Sequence, residues 1–338
     1  MLKQMTQKCL IIAEAGVNHN GSITLARQMV DAAAKSGADF IKFQTFRTDQ
    51  LVTKDAPKAD YQMRGENSFE SQFEMLSRLE INEAGFRDLA NYAAEKRIGF
   101  LSTPFDMDSA RFLNTLNLDA FKVSSGDLTN TPFLRQLSKF GKPLIISTGM
   151  ALLGEVEEAL YVLKREGFPE EKITLLHCTT EYPAPTEEIN LRAMLTIANA
   201  FPGLGYGYSD HSEGIEIAIA AVALGAQIIE KHFTLDRQMS GPDHAASLEP
   251  TELAKMILAI RNVSAAMGDG WKRPSSSEIK NRMVARKSIV ASSQIRSGEI
   301  LTENNITVLR PGSGISPTRW DDIIGQKAGR DYLPGDLI

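Results

Sequence analysis

Short apolar, β-branched runs recur along the chain up to Gly268. Each closes on Gly, Pro, Ser or a turn, which is how strands buried on both faces read. They are "CLIIAEAG", "FIKFQTF", "GFLSTPF", "AFKVSSG", "LIISTGM", "ITLLHCTT", "GYGYSDH" and "IIEKHFT". Between them apolar residues return at helical spacing. "ITLARQMVDAAAKSG" follows the first run and stops at Gly37, and "EAGFRDLANYAAEKR" follows the second. After the eighth, "PTELAKMILAIRNVSAAMG" opens on Pro250 and ends at Gly268, the expected punctuation of a helix. Eight strand–helix units of this size predict a (β/α)8 TIM barrel over 1–268, with an open doubly wound sheet as the alternative. A polar insertion from Val52 to Ile81 interrupts the second unit and is expected on the barrel's active face. The texture then changes. Residues 269–283 read as a linker, and 284–338 as a small β-rich domain with turns at "SGE" and "PGSG".

Polar residues gather where the strands end. In a barrel the chemistry sits at the carboxyl ends of the strands. Those ends carry Glu14, Lys42, Gln44, Thr103, Lys122, Ser125, Ser147, Thr180, Ser209, Asp210, His211, Glu230, Lys231 and His232. Buried parallel strands otherwise read as unbroken apolar runs, so a departure in every strand is not incidental. Lysines and hydroxyls together suit a phosphate. Two imidazoles on successive strands suit one divalent metal, or equally a hydrogen-bonded structural pair. Glu14, flanked by apolar residues, is either an acid–base group or a partner for Lys42. His177, inside "LLHC", reads as a satisfied core histidine; His19 and His244 sit in loops and fit either a turn or a functional part.

Bulk properties exclude little else. Of 338 residues 43% are hydrophobic, enough for one large core and a small second domain. A net charge of −5, with both signs interspersed, gives no basic block for nucleic acid. No apolar run reaches membrane-spanning length, and the N-terminal stretch lacks signal-peptide form. A soluble cytoplasmic protein is expected. Cys9 and Cys178 lie inside apolar runs and read as buried small hydrophobes.

Taken together, "IIAEAGVNHNGS", "IKFQTF", "FLSTPFD", "FKVSSGDLTNTP", "ISTGM", "LLHCTTEYPAP", "GYSDHS", "IEKHFTLD" and "MSGPDHAASLEP" resemble the bacterial sialic acid synthase family. The tail, with "KSIVA", "IRSGEIL" and "VLRPGSGISP", is similar to that family's antifreeze-like (SAF) domain. The resemblance runs in order over nearly the whole chain. It implies condensation of phosphoenolpyruvate with an N-acetylated amino sugar, releasing phosphate, in a domain-swapped homodimer whose SAF domain caps the partner's barrel. It implies a divalent metal, manganese with magnesium or cobalt as alternatives, on His211 and His232. Lys42 and Lys122 match the phosphoenolpyruvate-binding lysines and, with Glu14, the catalytic set. Ser125, Ser147, Thr180 and Ser209 match its hydroxyl and amide contacts. Gln44, Thr103, Asp127, Tyr182, Asp243 and Arg310 match positions around the sugar, Arg310 reaching across the dimer to the N-acetyl group.

Departures narrow the branch. Asp127 stands where the family often has glutamate, and Thr180 where some members have asparagine. "AEAGVNHNG", "CTTEYPAP" and "AMGDG" look nearer the N,N'-diacetyllegionaminate synthase subgroup. The acceptor is therefore N-acetylmannosamine or a 2,4-diacetamido-2,4,6-trideoxyhexose. Two other classes compete. A metal-dependent class II aldolase would use the metal without phosphoenolpyruvate. A polysaccharide- or ice-binding protein built on the tail would leave the strand-end lysines and histidines unexplained.

Overall fold

The computed structural model describes residues 8–63 and 70–338. Eight parallel strands follow the eight apolar runs. They are β1 (Leu10–Gly16), β2 (Phe40–Thr45), β3 (Gly99–Pro104), β4 (Phe121–Val123), β5 (Leu144–Ser147), β6 (Ile173–His177), β7 (Gly205–Asp210) and β8 (Ile228–His232). Their order is β3-β2-β1-β8-β7-β6-β5-β4. Strands β3 and β4 lie side by side without a ladder, so the barrel is closed everywhere but at that seam.

Ten α-helices belong to the barrel unit among the described residues. The first four are α1 (Ile23–Ser36), α2 (Thr48–Leu51), α3 (Gln72–Leu79) and α4 (Glu83–Glu95). Then come α5 (Met107–Asn114), α6 (Thr131–Lys139), α7 (Leu153–Arg165), α8 (Arg192–Ala200), α9 (Glu216–Ala223) and α10 (Pro250–Ala266). Local sequence sets their ends. Ser22 Oγ accepts from the Leu25 N–H at the start of α1, and Gly37, at φ +85°, closes it with bonds to Ala33 and Ala34. Asn82, Asp106 and Asn130 cap α4, α5 and α6 in the same way.

Strand alternation divides the core in two. Outward residues such as Ile11, Ala13, Ile41 and Phe43 pack under Met29, Phe86, Leu89 and Ile257 of the helix layer. Inward, Leu10, Ile12, Leu101, Ala120, Ile145, Leu176 and Ile228 plug the barrel. Above that plug the inward positions turn polar while staying buried: Glu14, Lys42, Thr103, Lys122, Ser147, Ser209, Glu230 and His232. Fold and site are one fact seen at two heights.

The insertion lies where expected. Met75 and Leu79 of α3 pack with Val17, Phe46 and Phe105, just past the carboxyl ends of β1, β2 and β3. Residues 64–69 of that insertion fall outside the described residues. Cys9 and Cys178 are free and buried. No helix among the described residues is long and apolar enough to cross a membrane.

The chain divides into two compact units, Met1–Gly268 and Asp269–Ile338. The second has its own core, in which Ile289, Ala291, Ile295, Leu301, Ile306, Ala328 and Tyr332 cluster. Strands β9 (Ser288–Ala291) and β10 (Ile306–Leu309) pair antiparallel, and single bridges such as Ile295–Tyr332 extend them. One correction arises here. The stretch expected as a linker, 269–283, contributes most of helix α11 (Ser276–Ala285). Its capping box, Ser275 with Glu278, is legible in "SSSE". The helix carries no buried residue, so an apolar-period reading passes over it. A last short helix, α12 (Trp320–Ile323), completes the unit.

Candidate active site

The inward, upper positions of β1, β2, β4 and β8 bring four charges together. Glu14 Oε2 lies 2.7 Å from Lys42 Nζ, and Glu230 lies 3.7 Å from Lys42 and 3.4 Å from Lys122. Lys42 also donates to Thr103 Oγ1 at 2.8 Å, and Gln44 Nε2 donates to Glu14 Oε1 at 3.3 Å. Ser209 Oγ donates to Glu230 Oε1 at 2.9 Å. Register explains the meeting: Glu14 pairs with Lys42 on one side and with His232 on the other.

Burial and neighbours pull the two carboxyls apart. Burial pushes Glu14 up to about 7 against the pull of Lys42, and the negative charge of Glu230 adds to the rise. Burial also acts upward on Glu230, but Lys122 and Lys42, with the Ser209 bond, outweigh it and hold it well below the usual carboxylate range. Burial draws Lys122 down, partly countered by Glu230. The set therefore joins two lysine side chains to one carboxylate held low and one carboxyl that titrates near neutral pH. Two lysine side chains meet there in a site shielded from water, which suits an anionic ligand.

Hydroxyls surround this set on the β4–β6 side. Ser125 Oγ accepts from the Gly149 N–H at 2.9 Å and lies 3.2 Å from Cys178 Sγ. Ser147 Oγ and Thr180 Oγ1 are buried without a hydrogen-bond partner. A Cβ on Gly149 would lie 2.2 Å from Thr180 Oγ1 and 2.8 Å from Ser125 Oγ, so this position takes glycine only. Buried hydroxyls left unpaired are costly, and a bound oxyanion would satisfy them.

Across the mouth lie the aromatic groups. His211 and His232 have ring centroids 5.5 Å apart, and Tyr182 stacks on His211 at 4.2 Å. His211 Nδ1 lies 2.6 Å from the Thr179 carbonyl and donates to it, which leaves the lone pair on Nε2. His232 Nδ1 is buried without a hydrogen-bond partner, 3.8 Å from Asp243 Oδ2. Burial lowers His211 to about 4 against the Thr179 bond, and burial with the His211 and Lys42 charges lowers His232. Burial raises Asp243 to about 6. Two neutral imidazoles with inward lone pairs fit a divalent cation. No group of three or more His, Cys, Asp or Glu side chains among the described residues could hold one, so water or substrate would fill the remaining positions.

The other expected residues fall as follows. Asp127 is spent on its own turn, accepting from Ser124 Oγ at 2.7 Å and Asn130 Nδ2 at 3.1 Å. Arg310 belongs to the second unit, where its Nε donates to the Ala285 carbonyl at 3.0 Å. His177 is a satisfied core histidine, with Nε2 2.8 Å from the Ile189 carbonyl. Two participants went unassigned in the sequence: Glu230, the carboxylate between the lysines, and Gly149. Glu230 was legible in principle, because it precedes His232 by two and so shares its face of β8.

A second cavity, of 680 Å³, opens at the amino-terminal end of the strands beside Lys8, Arg261 and Ser264. Its cations are already engaged, Lys8 and Arg261 both pairing with Asp39. Ser264 Oγ is buried there without a partner, whereas Ser147 Oγ, Thr180 Oγ1 and His232 Nδ1 are among the partnerless atoms at the other end.

The NeuB family model matches residues 29–272, and the SAF domain model matches residues 286–338. The N,N'-diacetyllegionaminic acid synthase of Campylobacter jejuni is 52% identical, over 98% of this chain and 99% of that protein. Its namesake in Legionella pneumophila is 42% identical, over 98% of this chain and 93% of that one. Among solved structures, the N-acetylneuraminic acid synthetase of Leptospira borgpetersenii, crystallised with citrate, superposes with a TM-score of 0.71. It is 35% identical, over 82% of this chain and 90% of that one.

Proposed function

The chain belongs to the NeuB family and carries a SAF domain, and from that premise we propose that it makes N,N'-diacetyllegionaminate. The reaction joins phosphoenolpyruvate to 2,4-diacetamido-2,4,6-trideoxymannose and releases phosphate. The family condenses phosphoenolpyruvate with amino sugars. The choice of acceptor rests on the 52% identity to the Campylobacter enzyme. The chemistry rests on one observation: the carboxyl ends of the strands carry two buried lysines together with the hydroxyls of Ser147 and Thr180, which are buried with no partner of their own.

In this reading Lys42 and Lys122 hold the phosphate and carboxylate of the donor. Ser125, Ser147, Thr180 and Ser209 give those charges direction, because hydroxyl bonds are oriented where a point charge is not. Glu230, 3.7 Å from Lys42 and 3.4 Å from Lys122, holds both lysines in place. Carbon 3 of the enol attacks the acceptor aldehyde, water adds at carbon 2, and the resulting hemiketal phosphate loses phosphate by cleavage of its C–O bond. Glu14, with a pKa near the working pH, is the residue we assign to proton transfer at the reacting carbons. A divalent cation on His211 and His232, manganese or in its place magnesium or cobalt, would supply Lewis-acid polarisation of the aldehyde oxygen. Tyr182 keeps the His211 ring in plane by stacking on it. Gln44, Thr103, Asp127 and Asp243 are assigned to the sugar side. Arg310 is assigned to the N-acetyl group, delivered across a domain-swapped homodimer that works in the cytoplasm.

The test is phosphate release from phosphoenolpyruvate with manganese, run with each sugar. Release with the diacetamido sugar, at least about tenfold faster in kcat/KM than with N-acetylmannosamine, is expected. Preference for N-acetylmannosamine would move the chain to the sialic acid branch. No release with either sugar, from folded and metal-loaded protein, would reject the synthase reading in favour of an aldolase.

A further inference from the structure

The residues immediately before the two site histidines form a buried ion pair of their own. Asp210 precedes His211, and Lys231 precedes His232. They are register partners across β7 and β8. Successive residues on a strand point to opposite faces, so the imidazoles face the mouth while this pair lies behind them, against the helix layer. Lys231 Nζ lies 2.9 Å from Asp210 Oδ2, and both side chains have no exposed surface. The pair also grips the next turn of chain. Asp210 Oδ1 accepts from the Ser212 N–H at 2.9 Å and from Ser212 Oγ at 2.6 Å. Lys231 Nζ donates to the Ser212 carbonyl as well. Ser212 is thus held at its N–H, its hydroxyl and its carbonyl, and His211 sits between that clamp and the end of β7.

Such a pair is a poor way to gain stability. Taking both charges out of water offsets most of their attraction, and well-packed apolar residues commonly do as well. Apolar replacements would, however, leave the Ser212 backbone groups buried and unpaired. The grip on the loop is what the charges supply.

We propose that Asp210 and Lys231 are positioning residues that set the spacing and orientation of His211 and His232. The proposal rests on the metal reading above for its consequence, but not for its geometry. His211 has its ring fixed by Thr179 and Tyr182 and its backbone fixed by the Asp210–Lys231–Ser212 clamp. His232 shares a strand, one residue on, with the lysine of that clamp. Outer partners of this kind tune affinity for a bound metal by about 10- to 100-fold.

Two full-length variants test it, Lys231→Met and Asp210→Asn, the second keeping the shape and removing the charge. Each is followed by manganese titration of the metal-free protein, by circular dichroism, and by a crystal structure. Folded protein with a manganese Kd raised about 10- to 100-fold, and a His211 ring displaced by about 1 Å, is expected. A purely structural pair would lower the unfolding midpoint and leave both Kd and ring position alone; that result overturns the proposal. His211→Ala is the control for the metal itself. If it binds manganese as well as the unaltered protein does, the metal reading falls, and the ring position in the variant crystals decides the positioning role by itself. If Lys231→Met does not fold, the same comparison on Asp210→Asn decides it.

Discussion

Glu14 and Glu230 show how one residue type acquires two roles within a single site. Both are buried and both face Lys42, yet one is pushed up to about 7 and the other held low, because Glu230 has Lys122 and Ser209 as well. Divergence of paired carboxyls is the usual mark of an acid–base assignment. Glu14 is protonated below pH 7 and ionised above it. If its carboxylate accepts a proton during turnover, kcat/KM falls as pH drops through about 7. Glu14→Gln is expected to lose about 100-fold or more in kcat and to lose that acidic limb; a variant that keeps the limb would place the base elsewhere. At this scale the sequence was most legible. Strand ends are short and their alternation is fixed, so a polar residue in an apolar run already points inward. What it hid was pairing. That Glu230 sits between Lys42 and Lys122, and Asp210 opposite Lys231, depends on register between strands far apart in sequence. Nor did the sequence show that the Asp127 carboxylate also closes its own turn, accepting from Ser124 and Asn130.

Elements carry a different kind of information. The loops after β1 and β8 are tied to each other. Asn18 Nδ2 donates to the Phe233 carbonyl and to Ser247 Oγ, each at 2.9 Å. His244 Nδ1 lies 2.6 Å from Thr234 Oγ1, and its Nε2 lies 3.2 Å from Asn20 Oδ1. His19 Nδ1 accepts from the Gly21 N–H at 3.0 Å. Burial lowers both His19 and His244 to about 4. A histidine depressed in the folded state is neutral there while the unfolded chain takes up a proton. Stability is then full above about pH 6.5 and is lost as pH falls toward 4. At about 1.4 kcal/mol per unit, His19 alone accounts for on the order of 2–3 kcal/mol. Urea unfolding at pH 7.5 and 4.5 should show that loss, and His19→Gln should shrink it; an unchanged difference between the two pH values would remove His19 as its source. Helix ends were readable from Gly37, Pro250 and Gly268. The loop-to-loop clamp was not, since its partners are separated by most of the barrel's length.

At the scale of the whole molecule, two units with separate cores share one chain. The division follows from the change of texture after Gly268, which any reading for repeating units finds. Helix α11 escaped that reading because it buries nothing on its own. Lys122 lies in the first unit and Arg310 in the second, which makes the swapped-dimer proposal separable by genetics. Lys122→Ala and Arg310→Ala are each expected to be nearly inactive. Unfolded and refolded together, they should recover up to about a quarter of wild-type activity, since one heterodimer site in two is intact. Recovery no greater than either variant alone would argue that each site is built from one chain.

The seam between β3 and β4 divides this machinery in a telling place. Thr103, Lys42 and Glu14 ride on the first three strands to one side of it, and Lys122 and Ser147 on the first two to the other. Everywhere else, parting neighbouring strands means breaking a row of backbone bonds; here it does not. The wall behaves as a split ring rather than a closed hoop. The one strand boundary that no backbone ladder bridges thus falls between the strands that carry the two lysines.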